Sequence, residues 1–356
     1  MQYTQIVSKA KQHYEAGISF VLFALPGEKL LKAAFQNEAN AFTTKSFIDK
    51  SFVMAPFGFD GELLQIPFSE ASFFEVPLPA TPTIKNATPP LDEEDADKKR
   101  YMEMVQKAIS KIKSGVAQKI VLSREKRLTL SNFSVEQLCE ELFKRHKNAF
   151  RYVWYHPTSG LWCGATPEVL LETEGLNFKT MALAGTQKVN DQKMLHWSGK
   201  ERREQQWVTD AIIKSLENRT SVLKVSKTQT HVAGNIAHLR TDVSGVLNTT
   251  RATLTEITNA LHPTPAVCGT PRTAALKFIQ QHEGYNRSYY TGFLGPVCEA
   301  QRCSKLFVNL RCMSISDQTA TLYAGGGITV DSVAEDEWEE THNKLATMAK
   351  VIQPLL

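Results

Sequence analysis

The sequence predicts an α+β fold built on largely antiparallel sheets. Runs of strand-length apolar residues follow one another, and helices come in runs of their own, without the strict strand–helix alternation of a doubly wound fold. One hairpin is explicit: Arg151–Tyr155 and Gly160–Gly164 flank a Pro157-Thr158-Ser159-Gly160 turn. Composition agrees, with 42% hydrophobic and 22% charged residues among 356, which excludes a wholly disordered chain. Length alone suggests roughly two domains.

Taken in order, residues 4–16 form a short helix, and Ile18–Leu25 is a strand that Pro26-Gly27 stops. Phe52–Phe59 is a second such run. From Pro77 to about Lys99 the chain turns rich in Pro, Thr and acid, with Pro89-Pro90 and Asp92-Glu93-Glu94-Asp95. It reads as an exposed linker, 84–99 in its narrower limits, between an N-terminal portion (1–83) and a larger portion (100–352). Met102, Val105, Ile109 and Ile112 then share one helical face, and Gly115 caps that helix. Ile120–Arg124 is a strand, and a helix spans about 134–145. Helices are expected near 198–217, 252–260, 271–282 and 334–352, and strands near 290–298, 304–314 and 319–330.

Several function classes are disfavoured. The 41 Lys and Arg against 37 Asp and Glu leave a charge of +4, too weak and too dispersed for a nucleic-acid binder. The densest basic cluster, Lys200-Glu201-Arg202-Arg203, is broken by an acid. No apolar run approaches the ~18 residues of a membrane span. The start Met1-Gln2-Tyr3-Thr4-Gln5 lacks a signal-peptide pattern. Six cysteines without CxxC spacing read as free thiols, so a cytoplasmic location is expected.

Four patterns could carry chemistry. Glu201 and Glu204 open one helix, and Glu337 and Glu340 open the last. Residues three apart share a helix face, so two such pairs facing each other would suit Mg²⁺, a hard cation. Acids in the first turn of a solvated helix give the same pattern. Gly325-Gly326-Gly327 suggests a close ligand approach with free N–H groups, or a flexible turn. Lys119 begins an apolar strand, as a buried base or as a snorkelling edge lysine. Glu168 precedes another apolar run, as a buried acid or as a solvated turn residue.

Together these segments resemble the chorismate-utilising enzymes, and among them the isochorismate synthases. The resemblance spans about residues 100–352 in ordered blocks: Lys119–Arg124, Gly164–Glu168, Leu183–Thr186, Lys200–Glu204, Leu261–Val267, Tyr289–Gly292, Val308–Arg311, the glycine run, and Glu337–Thr341 with Lys344. It implies one large domain of two packed, mainly antiparallel sheets flanked by helices, with the acidic linker as an excursion. It implies Mg²⁺ bound by Glu201, Glu204, Glu337 and Glu340, with Glu204 and Glu340 as direct ligands. Arg311, Tyr290, Lys344, His238, Ala266 and the backbone at Gly185, Gly325 and Gly327 would contact chorismate. Lys119 would activate a water to attack C2, and Glu168 would protonate the hydroxyl leaving C4. A base role asks for a lysine pKa below the ordinary ~10.4, and an acid role for a glutamate pKa above ~4.3.

Single positions separate subtypes. Anthranilate synthases usually carry glutamine where Lys119 stands. Aminodeoxychorismate synthases carry a nucleophilic lysine where Ala184 stands. Salicylate synthases, which go on to eliminate pyruvate, typically have threonine at Ala266. The pattern here resembles isochorismate synthase, with no glutamine amidotransferase subunit expected, and a monomer preferred. Cys268 and Gln205 depart from the family pattern where glycine or serine, and histidine, are common. The N-terminal portion is short, which leaves a tryptophan-type feedback site unsupported.

Overall fold

In the computed structural model, residues 1–356 are described except 48, 59–61, 81–90, 190–194, 234–235 and 249–251. All five residues of the strand β1 (Phe20–Ala24) are buried. Side chains alternate along a strand, so Val21 and Phe23 enter one core while Phe20, Leu22 and Ala24 enter another. An unbroken apolar run is what a strand covered on both faces requires.

Before β1 lies α1 (Tyr3–Glu15), and after it β2 (Leu30–Gln36), β3 (Thr43–Thr44), β4 (Ser51–Ala55), β5 (Leu63–Pro67) and β6 (Ala71–Pro77). Next come α2 (Asp95–Lys113), β7 (Lys119–Thr129), α3 (Val135–Lys144), β8 (Phe150–His156), β9 (Gly160–Thr166), β10 (Val169–Glu174) and β11 (Asn177–Lys188). The middle holds α4 (Gly199–Leu216), β12 (Thr220–Val225), β13 (Gln229–Ala233), β14 (Ile236–Leu247), α5 (Leu254–Leu261), β15 (Gly269–Thr270) and α6 (Arg272–His282). The chain ends with β16 (Phe293–Cys298), β17 (Cys303–Val308), β18 (Cys312–Ser316), β19 (Thr319–Ile328) and α7 (Ala334–Ile352).

One sheet of nine strands runs β15-β7-β19-β18-β9-β8-β1-β2-β6, and a second of ten runs β12-β14-β11-β10-β17-β16-β4-β5-β3 with β13 also on β14. Every pairing among the described residues is antiparallel. The N-terminal strands join both sheets, β1 against β8 and β4 against β16. An aromatic core lies between the sheets, where Phe150 of β8 stacks on Phe307 of β17 with ring centroids 4.1 Å apart. The outer face of the first sheet is covered by α1, α3 and α7, and that of the second by α4 and α5. A fourth core joins α2 and α6 to β7. Among the described residues no helix is long and apolar enough to cross a membrane.

The structure corrects several expectations. The run 304–314 is two strands in different sheets, with Arg311 in left-handed backbone (φ 46°) just before β18. A uniform apolar pattern does not mark such a crossing. The glycine run lies inside β19, the strand expected at 319–330, and is paired with β7, which leaves no place for the alternative of a flexible turn. The C-terminal end of the linker is exposed as expected at Asp92, Glu94 and Asp95, but it is anchored at two points. Its core stretch, 81–90, lies outside the described residues, but Leu91 is buried and α2 already begins at Asp95. Glu93 meets Arg124 at 2.7 Å, and Arg124 lies over the Trp338 ring at 3.8 Å. Acid there serves as a counter-charge, which composition cannot distinguish from solubility. Strands β2, β3, β5, β6 and β10–β14 carry no decisive periodicity; β12, for example, mixes Val222 and Leu223 with exposed Ser221 and Lys224. All six cysteines are free thiols.

The stacked pair between the sheets gives a direct test. Phe150→Ala removes a fully buried ring and should cost about 3–5 kcal/mol of unfolding free energy in urea titrations. A loss below about 1 kcal/mol would mean that the inter-sheet core does not depend on this contact.

Candidate active site

A cavity forms where β7 and β19 of the first sheet face β11 and β14 of the second. Lys119, Glu168, Gly185, Glu204, His238, Ala266, Tyr290, Arg311, Gly325, Gly327, Glu340 and Lys344 all line it. Residues far apart in the chain thus converge on one place.

Lys119 is the first residue of β7 and is only 1% exposed. Strand alternation turns it to the same side as Val121, which also lines the cavity. Its Nζ lies 2.8 Å from Glu204 Oε1. Glu168 sits in the tight connection between β9 and β10, at 3% exposure, with its backbone carbonyl accepting from Val308 N at 3.0 Å. Burial pushes its carboxyl up to about 8, against the opposing pull of Lys119 and Lys344.

Arg311 reaches the cavity from the crossing between sheets. Burial draws its guanidinium below the ordinary range, and Nη1 donates to Thr347 Oγ1 at 3.2 Å. Tyr290 is buried, with its ring 5.3 Å from that of Tyr323. Burial, then the Arg311 and Lys344 charges, lower His238 to about 3, so its ring is neutral. Its Nδ1 lies 3.2 Å from Gly185 O. A carbonyl only accepts, so Nδ1 carries the hydrogen and Nε2 offers a lone pair. Gly185 holds φ 70° at a register shift between β11 and β14, and a Cβ there would lie 2.9 Å from Glu201 Cβ.

The acidic residues come from two helices. Glu337, Glu340, Lys344 and Thr347 recur at three- and four-residue steps and share one face of α7. Glu204 lies one turn into α4. Glu340 Oε1 accepts from Lys344 Nζ at 2.6 Å, and that ammonium also donates to Gly325 O at 2.7 Å. Glu337 Oε1 accepts from Ser332 Oγ at 2.6 Å and Lys200 Nζ at 3.0 Å. Burial and the neighbouring Glu340 hold its carboxyl well above the usual range. Glu201 stands apart from this group. Its Oε2 accepts from the Ser198 backbone and hydroxyl, a capping box that starts α4.

The glycines of β19 work by lacking side chains. A Cβ on Gly327 would lie 2.4 Å from Glu204 Oε1, and one on Gly326 3.0 Å from Glu337 Oε2. These carboxylates therefore close on a bare stretch of backbone. The backbone group engaged by a side chain is a carbonyl, Gly325 O, where the sequence suggested N–H groups. Among the described residues no three acidic, imidazole or thiol groups form a ready-made metal cluster. Each of Glu204, Glu337 and Glu340 instead faces an ammonium. Their oxygen-only donor set, lying against the glycines, fits a hard divalent cation.

Sequence reasoning passed over four residues that shape this site. Lys200 and Ser332 hold Glu337. Thr347 holds Arg311, and its signal was legible as the next step on the Glu337–Lys344 face. Arg287 forms a fully buried pair with Glu283 and donates to the backbone oxygens of Val121 and Val267, two cavity walls, at 2.8 Å each. Nothing local distinguishes it from a surface arginine.

Glu168 makes folding pH-dependent. Unfolded, it ionises near 4.5; folded, it stays protonated to about 8. Rising pH between these values therefore favours the unfolded chain. Glu168→Gln should unfold close to wild type at acid pH and at least ~2 °C higher near pH 8 in thermal melts. An equal offset at both pH values would refute the shifted carboxyl.

The profile of the chorismate binding enzyme family matches residues 70–353. Isochorismate synthase DhbC of Bacillus subtilis (strain 168) is 30% identical over 269 residues, 71% of this chain and 67% of the relative. Isochorismate synthase EntC of Escherichia coli (strain K12) is 30% identical over 262 residues, 70% of this chain and 66% of the relative. The matched region thus spans about two thirds of these relatives' length. A crystal structure assigned as the isochorismate synthase DhbC of Bacillus anthracis superposes with a TM-score of 0.81 at 27% identity, covering 98% of this chain and 99% of that one. With a family match over most of its length and a shared fold throughout, this chain is a member of the chorismate-binding enzyme family.

Proposed function

We propose that this protein is an isochorismate synthase that converts chorismate to isochorismate by moving a hydroxyl function from C4 to C2. The observation that carries the chemistry is a lysine and a protonated glutamic acid buried in one cavity, Lys119 and Glu168. The relatives named isochorismate synthase support the substrate and reaction.

Chorismate is a dianion, and Arg311 and Lys344 place positive charge in the cavity to receive its carboxylates. Lys119 acts as the base once the proton it carries in the Glu204 pair has been released to solvent, and it takes a proton from water as the water oxygen bonds to C2. The ring double bonds shift, the C4–O bond breaks, and Glu168 gives its proton to the departing hydroxyl, which leaves as water. Charge on the enzyme balances, with one ammonium formed and one carboxylate formed. The raised Glu168 pKa keeps the acid form populated at neutral pH. His238 Nε2 and the Tyr290 hydroxyl supply polar groups that orient the bound ring.

Glu204, Glu337 and Glu340 would hold Mg²⁺, with Glu201 contributing only if it leaves its capping bond to Ser198. When bound, the ion neutralises charge on a substrate carboxylate. The water-using reaction needs no amidotransferase partner. Alanine at 184 supplies no nucleophile, and Ala266 lines the cavity wall.

Purified protein incubated with chorismate and Mg²⁺ should accumulate isochorismate on chromatography. Accumulation of salicylate and pyruvate would replace this reading with a synthase–lyase. Lys119→Ala and Glu168→Gln should each lower kcat by about 10²–10⁴-fold, the range of general acid–base catalysis. EDTA should abolish turnover, and added Mg²⁺ should restore it. The rate should fall as pH rises through about 8, where Glu168 loses its proton.

A further inference from the structure

Three ammonium groups face the three carboxylates, and they are not equivalent. Lys119 is sealed in β7, and Lys344 is tied to Gly325 O. Lys200 arrives from the outside. It is the second residue of α4, its side chain is 28% exposed, and it spans to Glu337 of α7, whose side chain is 3% exposed. A separate cleft opens on this outer side, lined by Lys200 and the acids Glu201, Asp336, Glu337, Glu339 and Glu340. Glu340 lines both this cleft and the inner cavity, so the two meet at the carboxylates.

We infer that Lys200 is a tethered counter-ion at the outer side of the carboxylate site, holding Glu337 until a divalent cation displaces it. The inference rests on the metal reading above. Glu337 is fixed in the cleft wall, its side chain 3% exposed and its Oε1 accepting from Ser332 Oγ at 2.6 Å. Lys200 can turn to water, because its stem is long and its head already lies near solvent. A partly exposed ion pair is weak, so a cation that satisfies several carboxylates at once outcompetes it. Lys200 thereby stabilises the acidic site in the absence of the ion and weakens the ion's apparent affinity.

The test uses the full chain and MgCl₂. Calorimetric titration near pH 8 should show Lys200→Gln binding Mg²⁺ about three- to tenfold more tightly than wild type, the size of a lost competing ion pair. Lys200→Arg, which keeps the charge, should stay within about twofold of wild type. Without Mg²⁺ the Gln variant should melt lower than wild type, and saturating Mg²⁺ should erase the difference. In the wild-type protein, reductive methylation of Lys200, read by mass spectrometry, should quicken when Mg²⁺ is added. This arm needs no variant to fold. Unchanged or weaker Mg²⁺ binding by Lys200→Gln, or Mg²⁺ that leaves Lys200 labelling unchanged or slower, overturns the inference while the metal reading stands. A wild-type protein that binds no Mg²⁺ overturns both.

Discussion

Glu204, Glu337 and Glu340 are gathered against one stretch of β19, the first two buried and the third only partly exposed, and like charges so placed repel and lose hydration. The site exists because positive charge is delivered to each of them from a different element: Lys119 from β7, Lys200 from α4 and Lys344 from α7. This requirement fixes much of the surrounding architecture. Helices α4 and α7 must both begin beside β19, and β19 must present glycine there, since a Cβ at Gly327 would collide with Glu204.

Neutralisation by lysine carries a chemical consequence under the proposed mechanism. Two of the ammonium groups that balance the acids, those of Lys119 and Lys344, face the cavity, where a base and a carboxylate receptor are needed. Glu168 lies on the opposite side of this balance. It is buried without an adequate counter-charge, so it keeps its proton. One cavity therefore holds a carboxyl whose proton is retained by burial, as an acid in an acid–base site requires. The surrounding shell is held by buried bonds from residues that do not line the cavity. Thr347 steadies Arg311, and the buried Glu283–Arg287 pair clamps the backbone of Val121 and Val267.

The strand-to-strand crossing at Asn309-Leu310-Arg311 matters as much as any side chain. It carries the chain from β17 in one sheet to β18 in the other, and so delivers Arg311 to the gap between them. Asn309 anchors the crossing, accepting from the Tyr152 hydroxyl at 2.6 Å and donating to Tyr289 O at 2.8 Å. The aromatic core behind it keeps the two sheets in register, with Phe150 and Phe307 in face-to-face contact across the gap.

The sequence by itself determined the antiparallel α+β class, the span of α7, the hairpin β8–β9 and most of the residues that line the cavity. Each rests on local periodicity, on turn chemistry or on ordered motif blocks, which survive without knowledge of the fold. The tertiary structure decided what those residues do to one another. Glu201 and Glu204 looked alike as a pair on one helix face, yet Glu201 caps α4 while Glu204 reaches Lys119. The four acids at the end of the linker looked alike, yet Glu93 binds Arg124 while Asp92, Glu94 and Asp95 are exposed. A run of three glycines left a close ligand approach and a flexible turn both open, and the fold shows it inside the expected strand, making room for carboxylates. Lys200 had no distinguishing mark until α7 was seen beside it. Charge pairing, burial and steric room depend on neighbours distant in sequence, and only the folded chain supplies those neighbours.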